Sequence, residues 1–284
     1  MKIRKIILTT LALCAAACAL QSCDDWTEQE GVGTTIGRPD TKDPAAWAAY
    51  AATVRAYKKT AHTLVYASML NAPDVSLSER DFLRSLPDSL DIVSLRNAPS
   101  AADLEDLDRL HKLGTRVLYG LGPDGDPALA AATIARHGFD GVALIADRPF
   151  ADLAATLRTL GEAGLVSYEG DPSALDAASV AELDLVVLPT AQMTYLAEMD
   201  LLYDEALRAG VPASKILFGA MPGAVWRDYK NAKQDAMTLG QQIVTSRALA
   251  GISLYDIGRD YYHTTINYRR TRELIARLNL MPKN

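Results

Sequence analysis

The sequence predicts a single (β/α)8 barrel, on three observations. From about Pro44 to the end, roughly 240 residues run without an internal linker, a low-complexity stretch or a short repeat, a length at which one large α/β barrel is ordinary. Eight short, near-continuously apolar runs recur along that length, as strands buried on both faces of a parallel sheet require. Longer stretches with helical spacing and recognisable caps lie between them. An open, doubly wound parallel sheet is the alternative that the same alternation allows.

Taken in order, the strand-like runs are Leu64–Met69, Asp91–Leu95, Arg116–Leu121, Val142–Ala146, Leu165–Tyr168, Leu185–Leu188, Ile216–Met221 and Ile252–Ile257. Each is expected to be followed by a helix. Ser100 can cap a helix in which Leu104, Leu107, Leu110 and Leu113 recur on one face, with Gly114 as its stop. Asp126-Pro127 opens the next, closed by Gly138. Thr194 to Ala209 forms a third, ended by Gly210, and a last helix runs from about Ile266 to Leu278. The fifth unit, Leu165–Tyr168 and the segment after it, carries the weakest pattern.

The first residues set an address. Lys2, Arg4 and Lys5 form a positive start, Ile6 to Leu20 is apolar except for Thr9 and Thr10, and Leu20-Gln21-Ser22-Cys23 reads as a lipobox. The apolar run is shorter than the ~20 residues that span a bilayer. Residues 1–22 are therefore expected to be a lipoprotein signal peptide, removed from the mature chain, with Cys23 acylated as the membrane anchor. Asp24, Asp25, Glu28 and Glu30 follow in a stretch poor in apolar residues, so 23–43 reads as an acidic, solvated tether before the domain at 44–284. Acidic residues directly after a lipidated cysteine resemble the surface-export signal of some Gram-negative gut anaerobes. The expected place is the outer membrane, at the cell surface. Removal of three basic and no acidic residues takes the formal charge from −6 to −9, which argues against a nucleic-acid partner. Cys14 and Cys18 leave with the leader, so no cysteine remains for a disulfide and stability has to come from the core.

Gly138-Phe139-Asp140-Gly141-Val142-Ala143-Leu144-Ile145-Ala146-Asp147 resembles the fourth barrel strand of glycoside hydrolase family 18, the chitinases and endo-β-N-acetylglucosaminidases. Leu86 to Ser94, Gly114 to Leu118, Gly251 to Asp256 and Asp24-Asp25-Trp26-Thr27-Glu28 add to the likeness, which spans nearly all of the mature chain. More narrowly, it resembles the lipoprotein branch of that family found in outer-membrane glycan-utilisation systems. The family motif on this strand is Asp-Gly-x-Asp-x-Asp-x-Glu, and alternate residues of a strand share a face. In the family the Glu donates a proton while the preceding Asp orients the substrate's acetamide, which is itself the nucleophile. In this sequence the first Asp is Asp140 and the Gly is Gly141, but the second Asp is Ala143, the third is Ile145, and the Glu is Asp147. Ile145 can neither hydrogen-bond nor carry charge, and Asp147 is one methylene short. A misplacement of ~1 Å costs ~10²-fold and proton donation is itself worth ~10²–10⁴. The strand-six tyrosine of the family also has no match in Val187-Leu188-Pro189-Thr190. The resemblance therefore implies a family-18 barrel with a degenerate active site.

In such barrels ligands bind at the C-terminal ends of the strands, where this sequence has Asn71, Arg96, Asn97, Asp124, Asp147, Arg148, Glu169, Gln192, Trp226, Asp256, Arg259 and Tyr261. Asn71, Asn97, Asp147, Arg148, Gln192, Trp226, Tyr255, Asp256 and Tyr261 are the expected glycan contacts. Trp226 can stack on a sugar face or pack over the rim, and Arg148 would hold its neighbour Asp147 charged if the two face each other. Asp140 is expected to have a hydrogen-bonding role at the strand entrance. His62, His111, His137 and His263 lack metal-ligand spacing, so no metal or other cofactor is expected. Gly120-Leu121-Gly122-Pro123-Asp124-Gly125 matches a dinucleotide fingerprint literally, but Pro123 removes a backbone donor and Asp124 and Asp126 would repel a pyrophosphate. It reads as a turn. Ser68, Ser94 and Ser167 lack the elbow of an acyl-transfer nucleophile.

The expectation is a non-catalytic barrel lipoprotein that binds an N-acetylglucosamine-containing or related glycan. Two alternatives are a hydrolase using Asp147, with Glu169, as a displaced acid, and a structural partner of an outer-membrane glycan importer. An open, aromatic-lined mouth favours a glycan binder over an assembly partner, and a mouth plugged by side chains favours the reverse.

Overall fold

A computed structural model describes residues 42–71 and 78–279. Cys23, the leader and most of the tether lie outside the described residues. The chain divides into a unit up to Ala48 and a unit from Ala49 onward. The described part of the first, residues 42–48, leads into helix α1 (Pro44–Lys58), where Asp43 caps the amide of Ala46 at 2.9 Å. The second unit holds the barrel.

Its strands are β1 (Leu64–Met69), β2 (Ile92–Leu95), β3 (Arg116–Leu121), β4 (Gly141–Ala146), β5 (Leu165–Gly170), β6 (Leu185–Leu188), β7 (Ile216–Ala220) and β10 (Gly251–Tyr255), closed in the order β1-β10-β7-β6-β5-β4-β3-β2. Every neighbouring pair is parallel. Closure excludes the open doubly wound sheet. The period of two in each strand separates two apolar sets. Tyr66, Ile92, Leu118, Ala143, Ile145, Leu185, Val187 and Leu217 fill the inside of the barrel. Their alternates, such as Val65, Val93, Val117, Val142, Val166, Val186 and Phe218, face the helices.

The helices follow their end signals. In α2 (Ala101–Lys112) Ser100 and Asp103 form a reciprocal capping box. Asp126 caps α3 (Pro127–His137), and Gly138 ends it at φ +76°, a left-handed conformation that favours glycine. α6 (Leu196–Arg208) starts two residues later than predicted, because the Thr194 carbonyl accepts the amide of Arg227 at 2.8 Å instead of opening a helix. The last helix, α8 (Arg269–Leu278), starts three residues late, after Tyr268 turns to φ +57°.

A strict strand–helix alternation is not what forms. Among the described residues β1 is followed only by two 3₁₀ turns, Glu79–Asp81 and Leu83–Ser85. β5 leads through a 3₁₀ turn to a helix of six residues, α5 (Ala177–Glu182), which accounts for the weak fifth pattern. A hairpin of β8 (Val225–Arg227) and β9 (Lys233–Asp235) stands between β7 and α7 (Ala236–Ser246). The remaining helix among the described residues is α4 (Leu153–Leu160).

Aspartates pin three of the strands at their N-terminal ends. Asp91, Asp140 and Asp184 each directly precede an even strand, and each accepts the amide of a residue in the odd strand beside it: Val65 at 2.8 Å, Val117 at 2.7 Å and Val166 at 2.8 Å. Asp91 also holds His62 at 2.8 Å, and Asp140 holds His111 at 2.9 Å. Asp140 thus has the structural role expected of it, at the opposite end of β4 from Asp147. Asn279 completes the ring by bonding both the amide and the carbonyl of Thr63 at the start of β1.

Candidate functional site

At the C-terminal mouth, inward positions on three strands carry polar groups in place of hydrocarbon. Ser68 on β1, Ser94 on β2 and Ser167 and Glu169 on β5 lie two residues above Tyr66, Ile92 and Leu165 on the same faces. Their side chains converge. Glu169 Oε1 accepts from the Tyr66 hydroxyl at 2.8 Å and from Ser94 at 2.5 Å; Oε2 accepts from Ser68 at 2.8 Å and from Arg96 Nη1 at 3.1 Å. Burial together with the Glu169 charge pushes the Tyr66 phenol well above its ordinary range, so it serves as a donor. Glu169 has both oxygens committed.

Arg96 joins this buried group to the surface. Its Nη2 donates to both oxygens of Asp147, at 2.6 and 2.8 Å. The Asp147 side chain is 74% exposed, whereas those of Arg96 and Glu169 are 9% and 5% exposed. Burial works against the Arg96 charge, but Glu169 and Asp147 outweigh it and hold the guanidinium more firmly protonated than usual. The cation also lies 5.0 Å from the centre of the Tyr255 ring, within cation–π range. Above this plug remains a cavity of about 60 Å³, bordered by Asp147, Gln192, Tyr255 and Pro189. Sites for small organic ligands run to ~300–1,000 Å³. The mouth is filled by protein side chains, and beneath the plug Ala143 and Ile145 pack among apolar residues.

Of the expected contacts, Asp147, Gln192 and Tyr255 meet at this cavity, and the others lie elsewhere. Trp226 is fully buried and packs edge-on against Phe218, with ring centres 5.8 Å apart, because β8 folds it back onto α7; it has no face for a sugar. Tyr261 is buried between Tyr262 and Tyr268. Asn71 is buried too, bonding Asp103 at 2.9 Å and accepting the amide of Asn97 at 3.0 Å, while the Asn97 amide group returns to the Asn71 carbonyl. This pair clamps the ends of β1 and β2 together. Arg148 does not face Asp147: it forms an exposed ion pair with Asp124 across the rim. Asp256 is half-buried at φ +49° and paired with Arg259 at 3.7 Å, and burial raises its carboxyl above the usual range.

The sequence places Arg96 and Glu169 at strand ends, with Glu169 as a displaced acid in the hydrolase alternative, but it names neither as a glycan contact. The available signal was parity. Ser167 and Glu169 share the inward face of β5, as Ser68 does on β1 and Ser94 on β2, so hydroxyls were bound to face a carboxylate in an apolar tube. Among the described residues no group of His, Cys, Asp and Glu could hold a metal.

No protein-family model matches the sequence, and no curated protein matches it. Solved structures share its fold. The protein BT1044, as a selenomethionine point variant, superposes with a TM-score of 0.66 at 15% identity, over 86% of this chain and 97% of that one. An endo-β-N-acetylglucosaminidase from Cordyceps militaris gives 0.61 at 17% identity, over 81% and 96%. A chitinase from Bacteroides thetaiotaomicron gives 0.58 at 10% identity, over 77% and 97%. The fold is that of the glycosyl hydrolase family 18 barrels. At such identities the likeness is one of fold, and function has to be argued from the site.

Proposed function

We propose that this protein is a non-catalytic family-18-type barrel that binds an N-acetylglucosamine-containing or related glycan on the shallow surface of its mouth. We further propose that it does so as a lipoprotein held through Cys23 at the outer face of the outer membrane. One observation carries the reading: Arg96, clamped between Glu169 and Asp147, occupies the place where a hydrolase of this fold would need an open subsite. In the family mechanism an acid protonates the leaving oxygen while a second carboxylate orients the acetamide. Here Asp147 accepts two hydrogen bonds from Arg96, and the orienting position is the hydrocarbon of Ile145. Glu169 is engaged by four donors and lies below Arg96, so it does not replace the missing acid.

What the mouth offers instead suits a sugar resting on its surface. Asp147 and Gln192 present acceptor and donor groups, and the Tyr255 ring adds flat apolar surface beside a cation. The filled mouth is the outcome expected of the second reading, in which the barrel is an assembly partner of an outer-membrane glycan importer and binds no sugar itself; glycan binding rests instead on the groups left at the rim, Asp147, Gln192 and Tyr255. Calorimetric titration of the lipid-free protein against N-glycans and chito-oligosaccharides, with products followed by mass spectrometry, separates the two. Binding without cleavage, weakened by Asp147→Asn, is the expected result. Cleavage that disappears in Asp147→Asn overturns the proposal in favour of a hydrolase, and absence of both binding and cleavage transfers the case to the assembly role.

A further inference from the structure

Among the described residues, nothing closes the end of the barrel opposite the mouth. A cavity of about 410 Å³ lies there, lined by Leu64, Leu165, Leu185, Arg116, Gly164 and Asp184. Its floor is the apolar interior of the barrel, since Leu64 and Leu165 pack on the cluster of Tyr66, Leu118, Ala143 and Leu217. Two strands begin there without side chains. A Cβ at Gly141 or at Gly251 would come within 2.0 Å of the carbonyl oxygen of Leu165 or Leu64, so the backbones of neighbouring strands approach closely at this end.

Arg116 stands on the inward face of β3, two residues from the buried Leu118. Among the described residues it forms no ion pair, although a carboxylate lines the same cavity. That carboxylate, Asp184, is committed through Oδ2 to the amide of Val166. The result is a wide, solvent-open depression bordered by leucines, one exposed guanidinium and one tethered carboxylate. Its volume falls within the ~300–1,000 Å³ of small-molecule sites, unlike the cavity at the mouth.

The geometry points to this depression as a second binding site, for a monoanion with a short aliphatic body such as a medium-chain carboxylate. The guanidinium fork matches a carboxylate in two parallel hydrogen bonds. The leucines take the alkyl chain, at a gain that grows with each buried methylene. The site is independent of any glycan at the mouth.

Octanoate is the probe. Calorimetric or NMR titration of the whole soluble chain should show one saturable site with a dissociation constant on the order of 1 mM, and acetate should bind at least about tenfold more weakly for want of alkyl burial. Arg116→Gln, an exposed position whose exchange leaves the core untouched, should weaken octanoate at least about tenfold by removing a charge-assisted pair, with an unchanged unfolding midpoint. No saturable octanoate binding by the wild-type protein overturns the proposal. So does octanoate binding that Arg116→Gln leaves unchanged, or acetate binding as tightly as octanoate.

Discussion

Arg96 shows how differently two ends of one side chain count. Its bond to Glu169 is buried, and its bonds to Asp147 are at the surface. An exposed pair contributes little after screening and side-chain entropy, whereas loss of one partner from a buried pair leaves a charge unmatched in low dielectric. Arg96→Gln should therefore cost about 3 kcal/mol of unfolding free energy, and Asp147→Asn less than about 1 kcal/mol, both measured by urea denaturation. Equal costs for the two would show that the Glu169 end is not the anchor. The histidines at the other end of the barrel behave differently. The hydrogen bond donated to Asp91 lifts the His62 imidazole above its ordinary 6.5, and that donated to Asp140 does the same for His111, with burial opposing in each case. A folded-state value above the unfolded one means that the stabilisation is complete below about 6.5 and is lost as pH rises through the raised value. Stability should fall across that window, and the slope should flatten in His62→Gln; a slope unchanged by the substitution would place the linkage elsewhere.

At the scale of elements, the ends of helices and the starts of strands do most of the specifying. Asp126 accepts from the amides of Ala128 and Leu129, which would otherwise go unpaired at the first turn of α3. Asp126→Ala should cost about 1 kcal/mol, and Gly138→Ala about as much by forcing a side chain into φ +76°. Thermal unfolding should show the two losses adding, since the caps lie at opposite ends of one helix. A double variant no worse than either single one would mean that α3 frays independently of the barrel. The three aspartates before β2, β4 and β6 use the same chemistry on strands, each satisfying an amide of the neighbouring strand.

For the molecule as a whole, closure is the decisive property. β1 pairs with β10 along five residues, from Leu64 opposite Gly251 to Ser68 opposite Tyr255, and this seam joins the two ends of the chain's strand order. It tolerates no side chain at its first position, because a Cβ at Gly251 would sit 2.0 Å from the Leu64 carbonyl oxygen and 2.7 Å from its carbon. Gly251→Ala should therefore destabilise the protein by about 3 kcal/mol or more, or prevent soluble expression. A variant within about 1 kcal/mol of wild type in urea denaturation would show that the seam can shift to admit a methyl group.

The barrel was legible in the sequence because its signals are local. Runs such as Arg116–Leu121 and Leu185–Leu188 match the observed strands residue for residue, since an apolar run bounded by caps reports burial on both faces wherever the chain goes. Ser100, Asp126 and Gly138 likewise act within one turn of helix. The position of Asp147 at the mouth followed from strand parity and the C-terminal rule for barrels. Tertiary structure alone decided which mouth residues meet. Trp226 and Tyr261 have the right composition and the right loops for sugar contact, yet hairpin and helix packing bury both. Arg96 and Glu169 lie 73 residues apart in the chain, and nothing in either segment shows that closure brings them together. Local propensity acts over a few residues; whether a side chain faces a ligand, a core or an opposite charge depends on distant segments that only the closed barrel puts in place.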